Sequence, residues 1–211
     1  KMAKARTEKL SAMPKKILII FTKNPILGKA KSRLAETVGQ HNALLVFKEL
    51  LAHTVSITAH IECEKRVYFS DEIVDNSYFS DSIYDKRIQK GNDLGERMRN
   101  ACVEATDDGF DQVVLIGSDC YELTQSEIEK AFSILTHSDF VFGPAQDGGY
   151  YLIGTRTTFT KVFDNKTWST STVLYEAIRD VEGADLSHGE LATLSDVDYE
   201  GDLGELKDLL Q

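Results

Sequence analysis

The sequence predicts a single layered α/β domain built on a mostly parallel sheet. Three observations carry that expectation. Short apolar runs alternate with amphipathic helical stretches along the chain. Two runs, Ile17–Phe21 and the VVLI within Gln112–Gly117, are continuously apolar, as strands covered on both faces must be. Two helical stretches open on capping boxes, Asp93 with Glu96 and Thr124 with Glu127.

The elements follow in order. Ile17–Phe21 is the first strand. A basic loop leads from it to a short helical stretch at Leu34–Val38. Asn42–Ile61 reads as a helix, because Leu45, Leu50, Leu51 and Val55 recur near a period of 3.6. Lys65–Ser70 and Lys86–Lys90 are short strands, and Leu94–Thr106 is the helix behind the first capping box. Gln112–Gly117 is the clearest strand, and the second capping box opens a helix ending near Thr136. Asp139–Gly143 and Gly149–Gly154 are strands, Ser171–Val181 is a helix, Leu191–Asp198 is a late strand, and Gly201–Leu210 is a closing helix. Alternation of this kind implies right-handed crossovers between parallel strands.

The chain has 211 residues, enough for one large core. It shows no internal repeat, low-complexity tract or Pro/Gly/Ser-rich linker, so residues 16–211 are expected to form one domain behind an N-terminal extension, residues 1–15. That extension is basic but lacks the apolar core of a signal peptide, and no run approaches the length of a membrane span. Cys63, Cys102 and Cys120 are odd in number and have no metal-ligand spacing, which fits reduced thiols and a cytoplasmic location. The formal charge is −10, so the surface as a whole should repel nucleic acid and anionic membrane.

Against that background, the stretch KNPILGKAKSRLA stands out. Lys23, Lys29, Lys31 and Arg33 gather directly after the first strand. Ligands of open α/β sheets bind beyond the carboxyl ends of the strands, so this loop is placed to meet a small anion. It matches neither a Walker A loop nor a GxGxxG fingerprint. Gly28 lets the backbone come close to a ligand, while Lys29, Lys31 and Arg33 can donate to phosphate oxygens. Asp119 falls just past the strongest strand, where an acid is costly unless paired, solvated or bound to a cation. Asp196 and Asp198, at i and i+2 in an extended segment, share a face and repel each other, which Mg²⁺ would relieve. Asp147, Gly148 and Gly149 suit a tight turn close to a ligand. Neither a nucleophilic Cys–His pair nor a GxSxG serine is present. Cations after the first strand and acids after later strands suggest a metal-assisted site for a nucleotide or sugar-nucleotide.

Six stretches in order, FTKNPILGKAKSRLAETVG, GNDLGERM, VVLIGSDCYELT, GPAQDGGYYLIG, WSTSTVL and LSDVDYEGDL, resemble the radical-SAM/selenodomain-associated transferase family. The likeness runs from about Lys16 to Leu210. It implies a three-layer α/β/α glycosyltransferase-A fold of the nucleotide-diphospho-sugar transferase superfamily, distantly similar to 2-phospho-lactate and molybdenum-cofactor guanylyltransferases. It also implies that Lys29 and Arg33 hold phosphates, that Asp119 binds metal with Asp196 and Asp198, and that Asp147, Gly148 and Gly149 face substrate. Tyr121 stands where the family usually has proline, and Tyr150 and Tyr151 depart from the guanylyltransferase pattern.

The expectation is therefore a transferase dependent on Mg²⁺ (or Mn²⁺). Its catalytic residues would be Lys29, Arg33 and Asp119, and its substrate-binding residues Lys23, Gly28, Lys31, Asp147, Gly148 and Gly149. It would take a nucleotide or sugar-nucleotide and a small-molecule acceptor. Nucleotidyl transfer is the first reading and glycosyl transfer the second. A non-catalytic sugar-nucleotide binder is the alternative from another class.

Overall fold

The computed structural model describes residues 13–73 and 78–210, so most of the extension assigned to residues 1–15 lies outside the described residues. Among the described residues, seven strands form one sheet. They are β1 (Lys16–Thr22), β2 (Glu64–Phe69), β3 (Asp85–Ile88), β4 (Gln112–Ile116), β5 (Phe140–Pro144), β6 (Tyr150–Thr155) and β7 (His188–Glu190). Their spatial order is β3-β2-β1-β4-β6-β5-β7. β1 pairs in parallel with β2 and β4, β2 with β3, and β5 with β7, while β6 runs antiparallel between β4 and β5. Every strand except β6 thus points its carboxyl end to one edge.

The continuous apolar runs have a direct structural cause. In β1, Leu18 and Ile20 join one core, and Ile17, Ile19 and Phe21 join the other. The first core is closed by helices α1 (Ser32–Val38), α2 (Gln40–Thr58) and α4 (Gln125–Ile134), through Leu34, Phe47, Leu50 and Phe132. The second is closed by α3 (Leu94–Asp107) and α5 (Val173–Glu182), through Met98, Ala105, Ala177 and Val181. The result is the expected three-layer α/β/α domain.

Both capping signals mark real helix starts. Asp93 Oδ1 accepts from Glu96 N at 2.8 Å, and Thr124 Oγ1 accepts from Glu127 N at 3.3 Å. The return bond of the first box goes to Asn92 N, which donates to Glu96 Oε2 at 2.8 Å.

Three sequence expectations need correction. Leu191–Asp198 is not a strand, since β7 ends at Glu190 and only Leu194 bridges to the sheet, at Ala145. β5 has ended at Pro144, so the segment takes its remaining bonds from loops: Ser195 N donates to Glu122 Oε2 and Val197 N to the Asp119 carbonyl. The closing stretch forms two 3₁₀ segments, Glu200–Asp202 and Gly204–Leu210, which meet near Gly204 at φ 50°. The helix placed at Leu34–Val38 begins earlier, at Ser32.

Gly154 shows how tightly the sheet carries its layers. It lies opposite Val114 and Val141, and a Cβ there would sit 2.7 Å from Val141 Cγ1 and 3.1 Å from Leu135 Cδ1. β-branched neighbours have little freedom to yield. Gly154→Ala should therefore destabilise the domain by about 1–3 kcal/mol through overpacking. Urea unfolding checks this, and an unchanged midpoint would show that the layers can slide apart.

Candidate functional site

The carboxyl-end edge holds a cavity of about 580 Å³. Its lining includes Thr22 and Lys23 after β1, Lys31, Ser32 and Arg33 at the start of α1, and Gly117, Ser118 and Asp119 after β4. Gln89 beyond β3, Arg97 and Met98 on α3, Tyr150 on β6, and Asp198 complete its main walls. Thr22 and Ser118, at the ends of neighbouring strands, share a hydroxyl–hydroxyl hydrogen bond of 2.9 Å.

A buried ammonium organises one end. Lys31 Nζ lies 2.7 Å from Asp119 Oδ1 and 3.4 Å from Asp198 Oδ1. Arg33 Nη1 donates to Asp198 Oδ2 at 3.1 Å. The Lys31 side chain is only 5% exposed. Burial alone would lower its pKa, but the charges of Asp119, Asp198 and Asp196 outweigh that and hold it above the ordinary lysine range. The backbone contributes as well. Lys31 precedes α1 in the left-handed region (φ 51°, ψ 52°), a conformation that costs a non-glycine residue energy and persists where the surroundings over-determine it.

Asp196 shares the field and, among the described residues, has no ion pair of its own. Its burial, then the nearby Asp119 charge, push its pKa up to about 7, against a partial pull from Lys31. Asp198 is positioned by a turn: Asp202 Oδ2 accepts from the amides of Asp198 (3.1 Å) and Tyr199 (2.7 Å). The Arg33 guanidinium lies over the Tyr199 ring, 6.0 Å from its centre.

The cavity thus brings together Lys23, Lys31, Arg33, Asp119 and Asp198, with Asp196 beside them. Gly28 and Lys29 are exposed on the basic loop and do not line it. Asp147, Gly148 and Gly149 also stand outside the lining. Asp147 Oδ1 accepts from Gly149 N at 2.9 Å, and its charge still reaches Asp196. Gly148, at φ 88°, is pressed against Ser171, where a Cβ would fall 2.2 Å from the carbonyl oxygen. Among the described residues no trio of His, Cys, Asp or Glu side chains is gathered as a metal cage. Lys31 lies between Asp119 and Asp198 instead. Cys120 is no nucleophile, because burial pushes its thiol up to about 12.

Sequence reasoning missed Gln89, Arg97 and Ser118. Arg97 belongs to GNDLGERM, and Ser118 to VVLIGSDCYELT, but neither residue type carries a site signal by itself. Tyr121 packs on His53 with ring centres 4.7 Å apart. His53 Nε2 in turn lies 2.9 Å from the Leu123 carbonyl oxygen, which ties the turn after Asp119 to α2.

A candidate nucleotide-diphospho-sugar transferase from Desulfovibrio desulfuricans G20 is 30% identical, with a TM-score of 0.84 over 94% of this chain and 97% of that one. CMP:2-keto-3-deoxy-manno-octonic acid synthetase, solved with CTP, is 10% identical with a TM-score of 0.53, covering 93% of this chain and 98% of the other. Rv0371c from Mycobacterium tuberculosis H37Rv, solved with manganese, is 13% identical with a TM-score of 0.51, covering 92% and 98%. The two distant structures share the fold, which is the glycosyltransferase-A-like fold of nucleotide-diphospho-sugar transferases. No curated protein matches the chain. A family model spans residues 54–170, more than half of the sequence, and the chain belongs to that family, described as an uncharacterized protein conserved in bacteria (DUF2064).

Proposed function

We propose that the protein is a metal-dependent nucleotidyltransferase acting on a nucleoside triphosphate and a small phosphorylated or hydroxylated acceptor. The observation that carries this reading is the meeting of Lys31 and Arg33 with Asp119 and Asp198 in one cavity at the strand ends. Six-motif similarity further favours the radical-SAM/selenodomain-associated branch of the family.

In this reaction an acceptor oxygen attacks the α-phosphorus and pyrophosphate leaves. The chain's part is positioning and charge balance, so no covalent nucleophile is needed. Lys31 and Arg33 would neutralise the phosphates, with Lys23 on the cavity wall and Lys29 reaching from the exposed loop beside Gly28. Asp147, Gly148 and Gly149 would border the acceptor. The carboxylate set is all oxygen and suits Mg²⁺ or Mn²⁺, and Asp119, Asp196 and Asp198 would hold the ion. When bound, the ion would supply positive charge against the reacting phosphate. Glycosyl transfer from a nucleoside diphosphate sugar is the second reading, favoured by the name of the 30% identical relative.

Product analysis separates the two. Incubation with nucleoside triphosphates, sugar-nucleotides, Mg²⁺ and a panel of small phosphorylated and hydroxylated acceptors should release pyrophosphate. Release of nucleoside diphosphate alone would transfer the assignment to glycosyl chemistry. In parallel, Arg33→Ala should weaken nucleotide binding by about one to two decades, because a charge-assisted contact contributes about 1.5–3 kcal/mol. Calorimetric titration with unchanged affinity would remove Arg33 from the phosphate site.

Lys31 gives a test of the acids. Lys31→Met leaves Asp119 and Asp198 without their buried counter-charge, so the metal-free protein should lose stability. The same change removes a competing positive charge, and Mn²⁺ should bind the variant more tightly than the parent. Paramagnetic resonance of free Mn²⁺ reads this directly. No binding by either protein would dissociate the acid cluster from metal.

Asp196 predicts a pH dependence of the metal-free fold. With its pKa raised to about 7, the native state keeps a proton that the unfolded chain releases near 4. The contribution of Asp196 to stability should fall as pH rises through that window and level off above it. Asp196→Asn should therefore raise the melting temperature at pH 8 and leave it nearly unchanged at pH 4. Parallel melting curves for the two proteins across the range would contradict the raised pKa.

A further inference from the structure

The cavity has a second cationic wall that the phosphate assignment leaves unused. Arg97 lines it from α3, and among the described residues it pairs with no carboxylate. An unpaired guanidinium is notable in a chain of net charge −10. Its orientation is nevertheless held. Arg97 Nε donates to the Gly91 carbonyl at 3.1 Å, and Nη1 donates to Gln89 Oε1 at 3.5 Å.

Gln89 is itself fixed by the sheet. Its Nε2 donates to the Thr22 carbonyl at 3.2 Å and to the Tyr68 carbonyl at 3.1 Å. Two carbonyl acceptors require the nitrogen on that side, so the amide must present its oxygen to Arg97. The ends of β1 and β2 therefore set Gln89, and Gln89 sets Arg97. Three of the five guanidinium N–H groups keep no protein partner among the described residues. This end of the cavity offers donors and asks for acceptors.

Its other walls are Phe21, Leu94 and Met98, apolar surfaces suited to a flat ring. Gln89 follows β3, and Asp119 follows β4, three strand spacings away in the sheet. The cavity, about 580 Å³, is lined by both Arg97 and Arg33, so a base at the first can be joined to phosphates at the second. A guanidinium fork meets two adjacent acceptors in a bidentate pair.

We propose that Arg97 is a specificity-determining residue that selects a nucleobase presenting two adjacent acceptors, guanine through N7 and O6 or cytosine through N3 and O2. This rests on the nucleotide reading above. Adenine and uracil alternate donors with acceptors on the corresponding edges and leave one arm of the fork unmet.

The experiment measures binding of GTP, CTP, ATP and UTP, each with Mg²⁺, to the parent protein, Arg97→Lys and Arg97→Gln. The parent should bind GTP or CTP about ten-fold or more tightly than ATP and UTP. Whichever of the two is preferred identifies the base. Arg97→Lys keeps the charge and removes the fork, so it should lose the preference while UTP affinity stays unchanged. Arg97→Gln should behave likewise, with its melting curve as the control for folding. Equal binding of all four by the parent, or preference for ATP or UTP, overturns the proposal. So does an equal loss across all four in the variants, which would make Arg97 a phosphate contact. Arg33-dependent binding without base preference rejects this inference alone, whereas no binding of any nucleotide rejects it together with the proposed function.

Discussion

One buried ammonium holds the working edge of this protein together. Lys31 comes from the loop after the first strand, Asp119 from the end of the central strand, and Asp198 from the closing segment of the chain. Burying a lone charge is costly, and a buried pair repays the cost only when its partners are well placed. Here a left-handed backbone at Lys31 and the Asp202 turn beneath Asp198 place them. The acids can therefore stand close together, and a ligand enters a site whose charges are already nearly balanced.

The layers explain why the chemistry is confined to that edge. Both faces of the sheet are sealed, with β1 alternating its side chains into two cores. Backbone that leaves a strand's carboxyl end is what remains free to meet a ligand. Even the antiparallel β6 serves this geometry, because its first residue, Tyr150, starts at the same edge and lines the cavity. The turn that makes the reversal possible packs Gly148 directly on the Ser171 backbone, so its path leaves no room for a side chain.

Much of this was legible in the residues, and the unread parts have physical reasons. β1 and β4 declared themselves because burial on both faces forces uninterrupted apolar runs. The starts of α3 and α4 were legible because caps are local chemistry. The antiparallel direction of β6 was not, since a buried run reads the same in either direction. Leu191–Asp198 looked like a strand because its composition is extended, but strand identity depends on a partner, and β5 ends too early to provide one. At the site, charge against an acidic background singled out Lys31, Arg33, Asp119 and Asp198. Gln89 and Arg97 escaped notice because an amide and a guanidinium gain their meaning only from carbonyls contributed by β1, β2 and the Gly91 turn.

The two outer strands have a consequence for how the molecule meets its own copies. An open sheet ends in rows of unpaired amides and carbonyls, which invite another chain to extend it. Here the borders are short: β3 has 4 residues and β7 has 3. β3 carries Asp85, Lys86 and Arg87 in succession, with Lys86 bound to Asp81 at 2.7 Å and Arg87 to Asp85 at the same distance. β7 carries His188 and Glu190 around a glycine. An incoming strand would find few hydrogen bonds to form and several ion pairs to break. Among the described residues the margins of the sheet are therefore poor templates for a further strand.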